Sequence, residues 1–525
     1  MIDLTGSKPF PVFTSIYHND IIYVSGTFLF VWKRPVLNES GACMGKLTDK
    51  YRNIPVTVKV SSAYVLCSVL QRCLLFLTMP LFTRLLTTEQ YGQVIIYSSW
   101  QGLLQIFLTL NLAYGSFSPA MVKFESDRDG YIASVEGICL LLSGFFLLIY
   151  LPFASLWNQL FELPTSIMCL MVAETLSVTA LLLWSGKKRF EFKYISVVLV
   201  TLAIAVATPL LQYVLVITNE EKGYARIWGM AIVNIVAGGV FFVLNIIRGK
   251  TVFRRQYWKY ALGFNIPLLA YYLSQMVFNQ SDRIMISHMV GMDKSAVYGV
   301  AYNLAVVLTF VLDAINNAYI PWLYEKLGKG QEKENRSVSL GIAALMALLL
   351  SGVIWFAPEI VLVMAGEKYL EAVYVVPPVA LSLLLLFYSQ LFANVEFYYE
   401  EKRSLVWASL GAAVTNLILN WIFIRLYGYV AAAYTTLFSY LVFALCNCLA
   451  MKRILKRRGL QDQGYNYRGM IMLFIAACGL TAAGAALYGS LPARIIAAVL
   501  TLGVLFLQRG KILTLIRTIR RKDDQ

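Results

Sequence analysis

Fourteen uninterrupted apolar runs of about 20 residues divide this sequence. They lie near 58–85, 91–113, 132–155, 163–185, 194–217, 227–247, 263–290, 296–319, 338–357, 371–396, 404–424, 428–450, 468–488 and 492–508. A run of that length, coiled as an α-helix, reaches across the hydrocarbon of a bilayer. Composition agrees: 59% of the 525 residues are apolar and 14% are charged, whereas a soluble domain carries about 25% charged residues. The sequence therefore predicts an all-α polytopic membrane protein with about 14 transmembrane helices.

The net charge of +16 raises the question of a nucleic-acid partner, and the placement of the basic residues answers it. From residue 44 on, the N-terminal segment, the connections after even-numbered runs and the C-terminal tail hold 33 Lys and Arg. The connections on the other side hold seven: Arg84, Lys222, Arg226, Lys294, Lys368, Arg425 and Arg494. That is the positive-inside pattern, with both termini expected in the cytoplasm. One missed helix would scramble the parity downstream, so the bias also supports the number of runs. The clusters "SGKKRFEFK", "IIRGKTVFRRQYWK" and "MKRILKRRG" read as topology signals and contacts with anionic membrane lipid, not as a nucleic-acid surface.

Residues 1–43 fit this plan poorly. "IIYVSGTFLFVW" is too short to span, and no basic region precedes it as a secretory signal requires. The expectation is a start at Met44, with 1–43 absent or a disordered extension. Seven of eight cysteines fall inside runs, where they act as small apolar fillers. "CNC" at 446–448 has no second pair, so no metal site is expected. Phosphate-loop motifs are missing and His18 and His288 are the sole histidines, so neither a cofactor nor catalysis is indicated. The connections are short as well. A membrane enzyme of glycan assembly needs a substantial loop with an acidic pair, which this chain lacks. Transport is the class that remains.

An internal repeat refines it. Tyr91-Gly92 and Tyr298-Gly299 each open a run, 207 residues apart; Pro119 and Pro321 lie 202 apart; "GYA" at 223–225 and "GYVA" at 428–431 lie about 205 apart. Three matches at nearly one offset, with equal hydropathy parity, indicate two six-helix copies in the same orientation. That arrangement places a substrate site between the halves. The expected boundaries are 44–250 and 251–458 for the two lobes, with 459–525 adding two helices and a basic tail.

"FLTMPLFTRLLTTEQYGQVIIYSS" resembles the first two spans of bacterial polysaccharide repeat-unit flippases. "NQSDRIMISHMVGMDKSAVYGVAYNLA" resembles their seventh and eighth, which "NNAYIPWLYEKL" closes. These flippases share a superfamily with lipid II flippases and multidrug and toxin extrusion antiporters. The likeness runs from about residue 58 to 460. It implies movement of undecaprenyl-diphosphate-linked oligosaccharide from the inner to the outer leaflet of the bacterial cytoplasmic membrane. O-antigen, lipopolysaccharide, capsule and exopolysaccharide biosynthesis use such transporters, and glycan polymerase machinery is the implied partner. A cation-coupled multidrug antiporter of the same superfamily is the alternative. By the same resemblance, the last two helices form a groove for the polyprenyl tail.

Ionisable residues inside runs are costly, at about 2.5–17 kcal/mol each, and usually face a cavity or a partner. Arg72 lies about 5 Å from the middle of its run and either contacts a diphosphate or pairs with Glu174. Asp282 and Arg283 are adjacent, hence about 100° apart on a helix, and read as cavity, gate or interhelical groups. Glu174 and Asp313 are candidates for coupling or packing acids. Glu136 and Glu396 are expected to reach water from near the run ends. Asn234, Asn265, Asn316, Asn317, Asn416 and Asn420 either line a sugar path or make interhelical hydrogen bonds.

Overall fold

The structure, a computed structural model, describes residues 21–24, 27–30, 56–460 and 464–507. Strands β1 (Ile21–Val24) and β2 (Thr27–Phe30) pair antiparallel, with Ile21 opposite Phe30. The rest of the 1–43 extension, Met44 and the tail beyond 507 lie outside the described residues.

Every other element among the described residues is helical. Fourteen long helices stand where the apolar runs lie. They are α1 (Val56–Leu85), α2 (Thr88–Thr109), α3 (Arg128–Tyr150), α4 (Thr165–Phe190), α5 (Tyr194–Thr218), α6 (Lys222–Gly249) and α7 (Leu269–Met289). There follow α8 (Met292–Gly328), α9 (Asn335–Trp355), α10 (Val376–Tyr398), α11 (Lys402–Tyr427), α12 (Ala431–Arg457), α13 (Tyr467–Ala486) and α14 (Leu491–Leu507). In lipid each backbone N–H and C=O must be satisfied within its own segment, so apolar runs coil. Twelve of these helices are long and apolar enough to cross a membrane; the protein is a multi-pass membrane protein.

The other two are α2 and α14. Only 17 residues of α14 are described. The reason for α2 is more informative, because it carries Glu89, Gln90, Gln93, Gln101 and Gln105 yet packs against α3, α4, α6, α7 and α8. A helix sheltered by protein on most sides can hold amides that lipid would exclude. Its start is fixed locally by a capping box. Thr87 Oγ1 accepts from Gln90 N at 3.2 Å, and Gln90 Oε1 accepts from Thr87 N at 3.1 Å. By contrast α5 buries only Val197, Gln212 and Val216, so most of its surface is left for lipid.

Helix α8 extends beyond its apolar run, which stops at 319. Pro321 removes one backbone bond, but Tyr319, Ile320 and Leu323 continue the buried face and the helix persists to Gly328. Between α9 and α10, a short helix (Ala357–Met364) and a 3-10 turn (Glu367–Tyr374) lie where the sequence suggested an earlier start for α10.

Packing gathers the helices into two bundles. In the first, α4, α5 and α3 pack on α6, and α1 packs on α5; in the second, α10 and α11 pack on α12, α11 on α7, and α8 and α9 on α10. Helix α13 lies against α9 and α10, and α14 against α9, outside both. Helix α2 bridges the bundles through α7 and α8.

Glycines set the closest approaches. A Cβ on Gly92 of α2 would stand 2.2 Å from the Met292 carbonyl oxygen across the bundles. One on Gly238 of α6 would stand 2.1 Å from the Ser177 oxygen within the first bundle. Gly238→Val therefore overpacks a bundle, at about 1–3 kcal/mol, and should lower the melting temperature by several degrees. Gly92→Val should instead hold the bundles apart at that end with little change in melting temperature. Scanning fluorimetry of the purified variants checks this; equal losses would contradict it.

Candidate functional site

The seam between the bundles follows α2. Gly102 leaves room for Gln280 of α7, whose Nε2 stands 3.4 Å from where a glycine Cβ would be. One turn further along α7, Arg283 Nη1 donates to Gln280 Oε1 at 2.8 Å, and its guanidinium lies 4.4 Å from the centre of the Tyr302 ring on α8. Arg283 is 8% exposed, and its Nε has no hydrogen-bond partner among the described residues. An amide and a ring face thus orient a buried cation while part of its donor fork stays unused.

Asp282, the preceding residue, turns into the second bundle. Its carboxylate accepts from Tyr298 Oη at 2.6 Å, Thr436 Oγ1 at 2.6 Å and Asn420 Nδ2 at 2.5 Å. Asn416 extends the network, donating to Thr436 Oγ1 at 3.2 Å and accepting from Ser281 Oγ at 3.2 Å. One carboxylate therefore ties α7 to α8, α11 and α12. Glu174 does the same for the first bundle, accepting from Gln101 Nε2 at 2.8 Å, Asn234 Nδ2 at 2.7 Å and the Tyr97 hydroxyl. Three donors offset the desolvation that an isolated buried carboxylate would suffer.

Arg72 lies on α1, but its side chain is outside the described residues. Asp313 stands half-buried just past the middle of α8. Glu136 and Glu396 do not reach water: they are 2% and 0% exposed, bonded to Asn245 of α6 and Ser404 of α11. Nearness to a helix end does not expose a group when a neighbouring helix covers it. Of the asparagines, Asn234, Asn265, Asn416 and Asn420 donate to side chains on other helices or segments, and Asn394 donates to Asn316.

The two ends of the seam differ in charge. At the end poor in Lys and Arg, Thr83 Oγ1 donates to Met364 O and Arg84 Nη2 to Val363 O, each at 3.1 Å, while Lys368 donates to Leu86 O. His288 and Ser287 reach Leu160 and Glu162 there. Arg226 lies beneath them over the Phe82 and Tyr91 rings, at 4.3 and 5.0 Å. At the basic end, Asn265 donates to Ser116 Oγ at 3.0 Å, and Tyr257 and Arg254 donate to Asp127. Both ends are shut. Between α1, α8, α9 and the short helix Ala357–Met364, a mainly apolar recess of about 340 Å³ is lined by Phe76, Leu304, Leu308, Val353, Ile360 and Met364 together with Glu359.

Lysines also organise the basic end. Burial pushes the Glu191 carboxyl up, but hydrogen bonds from Lys188 and Lys193 and the charge of Lys187 outweigh it and hold the value at about 2. A depressed acid stabilises the fold above its unfolded value, about 4.3, and loses that contribution as pH falls through about 2. Glu191→Gln should accordingly lower the melting temperature at pH 7, with the gap to the unaltered protein narrowing below about pH 4.

The fold is shared with solved membrane transporters. Lipid II flippase MurJ in an inward closed conformation superimposes with a TM-score of 0.59 at 13% identity, covering 88% of this chain and 99% of that one. An inward-facing multidrug resistance MATE transporter of the MOP superfamily gives 0.58 at 14% identity, covering 74% and 95%. In sequence, the profile of the family described as polysaccharide biosynthesis protein matches residues 58–327, just over half the chain, and that of MatE matches 267–422. The chain belongs to the polysaccharide biosynthesis protein family. Protein 1 of the Lsg locus of Haemophilus influenzae is 25% identical over 357 residues, covering 66% of this chain and 86% of that protein. An uncharacterized membrane protein of the same organism is 22% identical over 372 residues, covering 67% and 87%.

Proposed function

We propose that the protein moves undecaprenyl-diphosphate-linked oligosaccharide repeat units from the inner to the outer leaflet of the bacterial cytoplasmic membrane. The observation that carries this is Arg283, a seam guanidinium held in place by Gln280 and Tyr302 with its Nε unpartnered among the described residues. A planar fork with donors to spare suits phosphate oxygens. Arg72 supplies a second cation from the first bundle, and Asp282 holds the helix that aims Arg283. The basic end faces the cytoplasm, where the positive-inside rule puts it. The lobes, 44–250 and 251–458, rock against each other so that the seam opens to one side at a time. No covalent step is needed. The apolar recess against α1 and α8 suits a stretch of polyprenyl chain.

The MatE match and the buried acids favour a second reading, a cation-coupled drug antiporter. Against it, Glu174 and Asp282 are each engaged by three donors and leave no acidic surface toward the seam; Asp313 is the coupling acid that reading would use. Thermal stabilisation in nanodiscs separates the two. A polyprenyl-diphosphate oligosaccharide should raise the melting temperature and a lipophilic cation should not; the reverse result would favour the antiporter.

A further inference from the structure

We propose that His288 is a proton-operated latch that holds the Lys- and Arg-poor end of the seam shut. This rests on the alternating-access reading, because a latch presupposes two bundles that part.

The contact joins the end of α7 to the segment between α3 and α4. His288 Nε2 is 2.9 Å from Leu160 O, and Nδ1 is 3.3 Å from Glu162 Oε1. Both neighbours are acceptors. A neutral imidazole carries one N–H, so only the doubly protonated ring donates to both. Leu160 lies in the last turn of the short helix Ala154–Phe161, whose last carbonyls have no helical partner and attract a cation. Glu162 has φ 55°, the left-handed turn that stops this helix and points the carboxylate back at α7, where the Ser287 hydroxyl also donates to it. The side chains of His288 and Glu162 are 32% and 20% exposed, so the ring can exchange its proton with the adjoining water.

Lys294, at the start of α8, pairs with Glu371 at 2.6 Å, and the Asp293 carboxylate lies beside Gly291. Thr83 and Arg84 also bridge the bundles. Lys368 bridges them too, and variants at 288 separate its share. A proton held in the closed state and released on opening makes acid favour closure. In the topology proposed above, this end faces outward, so the outer medium sets how readily the carrier opens to it.

The test places spin labels on Glu220→Cys and Glu367→Cys, exposed positions on opposite bundles at this end, with the native cysteines replaced. Distance distributions are measured at about pH 5.5 and about pH 8, on either side of the ordinary histidine range, with and without undecaprenyl diphosphate. The closed-to-open ratio should fall about tenfold as pH rises. His288→Gln should be more open and indifferent to pH, and His288→Arg closed at both. A full pH response in His288→Gln would overturn the latch. Opening on undecaprenyl diphosphate but never with pH would overturn the latch alone. Distances fixed under every condition would overturn it together with the alternating-access reading.

Discussion

Arg283→Ala should abolish surface polysaccharide while leaving the protein folded and inserted. The side chain makes one hydrogen bond to a neighbour on its own helix and one ring contact, so little of the packing depends on it. What it would contribute is at least two charge-assisted bonds to a diphosphate, at about 1.5–3 kcal/mol each, hence a fall of about 100-fold or more in transport. Arg283→Lys keeps the charge but loses the fork and should recover a minor part. Surface polymer, normalised to membrane protein level, is the measurement. Full activity in Arg283→Ala would remove this residue from the substrate path.

Asp282→Ala should have the opposite profile, failing through stability. It deprives Tyr298, Asn420 and Thr436, on three different helices, of one shared acceptor. Interhelical hydrogen bonds in membranes average about 0.6 kcal/mol and reach about 1.7, and donors left buried without partners add to that. The expected loss is about 2–5 kcal/mol, seen as poor yield and a lowered unfolding midpoint. Asp282→Asn keeps one acceptor oxygen but turns an N–H₂ toward donors, so it should fall between. Transport by these variants should track the amount of folded protein. Asp282→Asn at full stability but without transport would give the carboxylate a direct part in the substrate path.

Which helices exist was legible because lipid leaves a twenty-residue apolar run little alternative to coiling. What each polar group does was not, because that depends on which helix lies across from it. Nothing in the spacing of Glu174, Gln101 and Asn234 reveals that they meet. Arg283 was singled out by its charge within an apolar run, yet the residues that aim it, Gln280 and Tyr302, look ordinary in sequence. Helix α2 shows the converse, since its amides make it look less like a span because it is shielded from lipid. His288 was read only for lacking catalytic company; its acceptors lie about 125 residues earlier in the chain.

Proteoliposomes test the central claim most directly. Purified protein is reconstituted with a polyprenyl-diphosphate-linked oligosaccharide, and access of an external sugar-modifying reagent to the glycan initially in the inner leaflet is followed over time. The expected result is rapid, protein-dependent exposure that Arg283→Ala reduces to the protein-free rate. Exposure no faster than in empty liposomes, from a preparation that does exchange a lipophilic cation for an ion, would contradict the account.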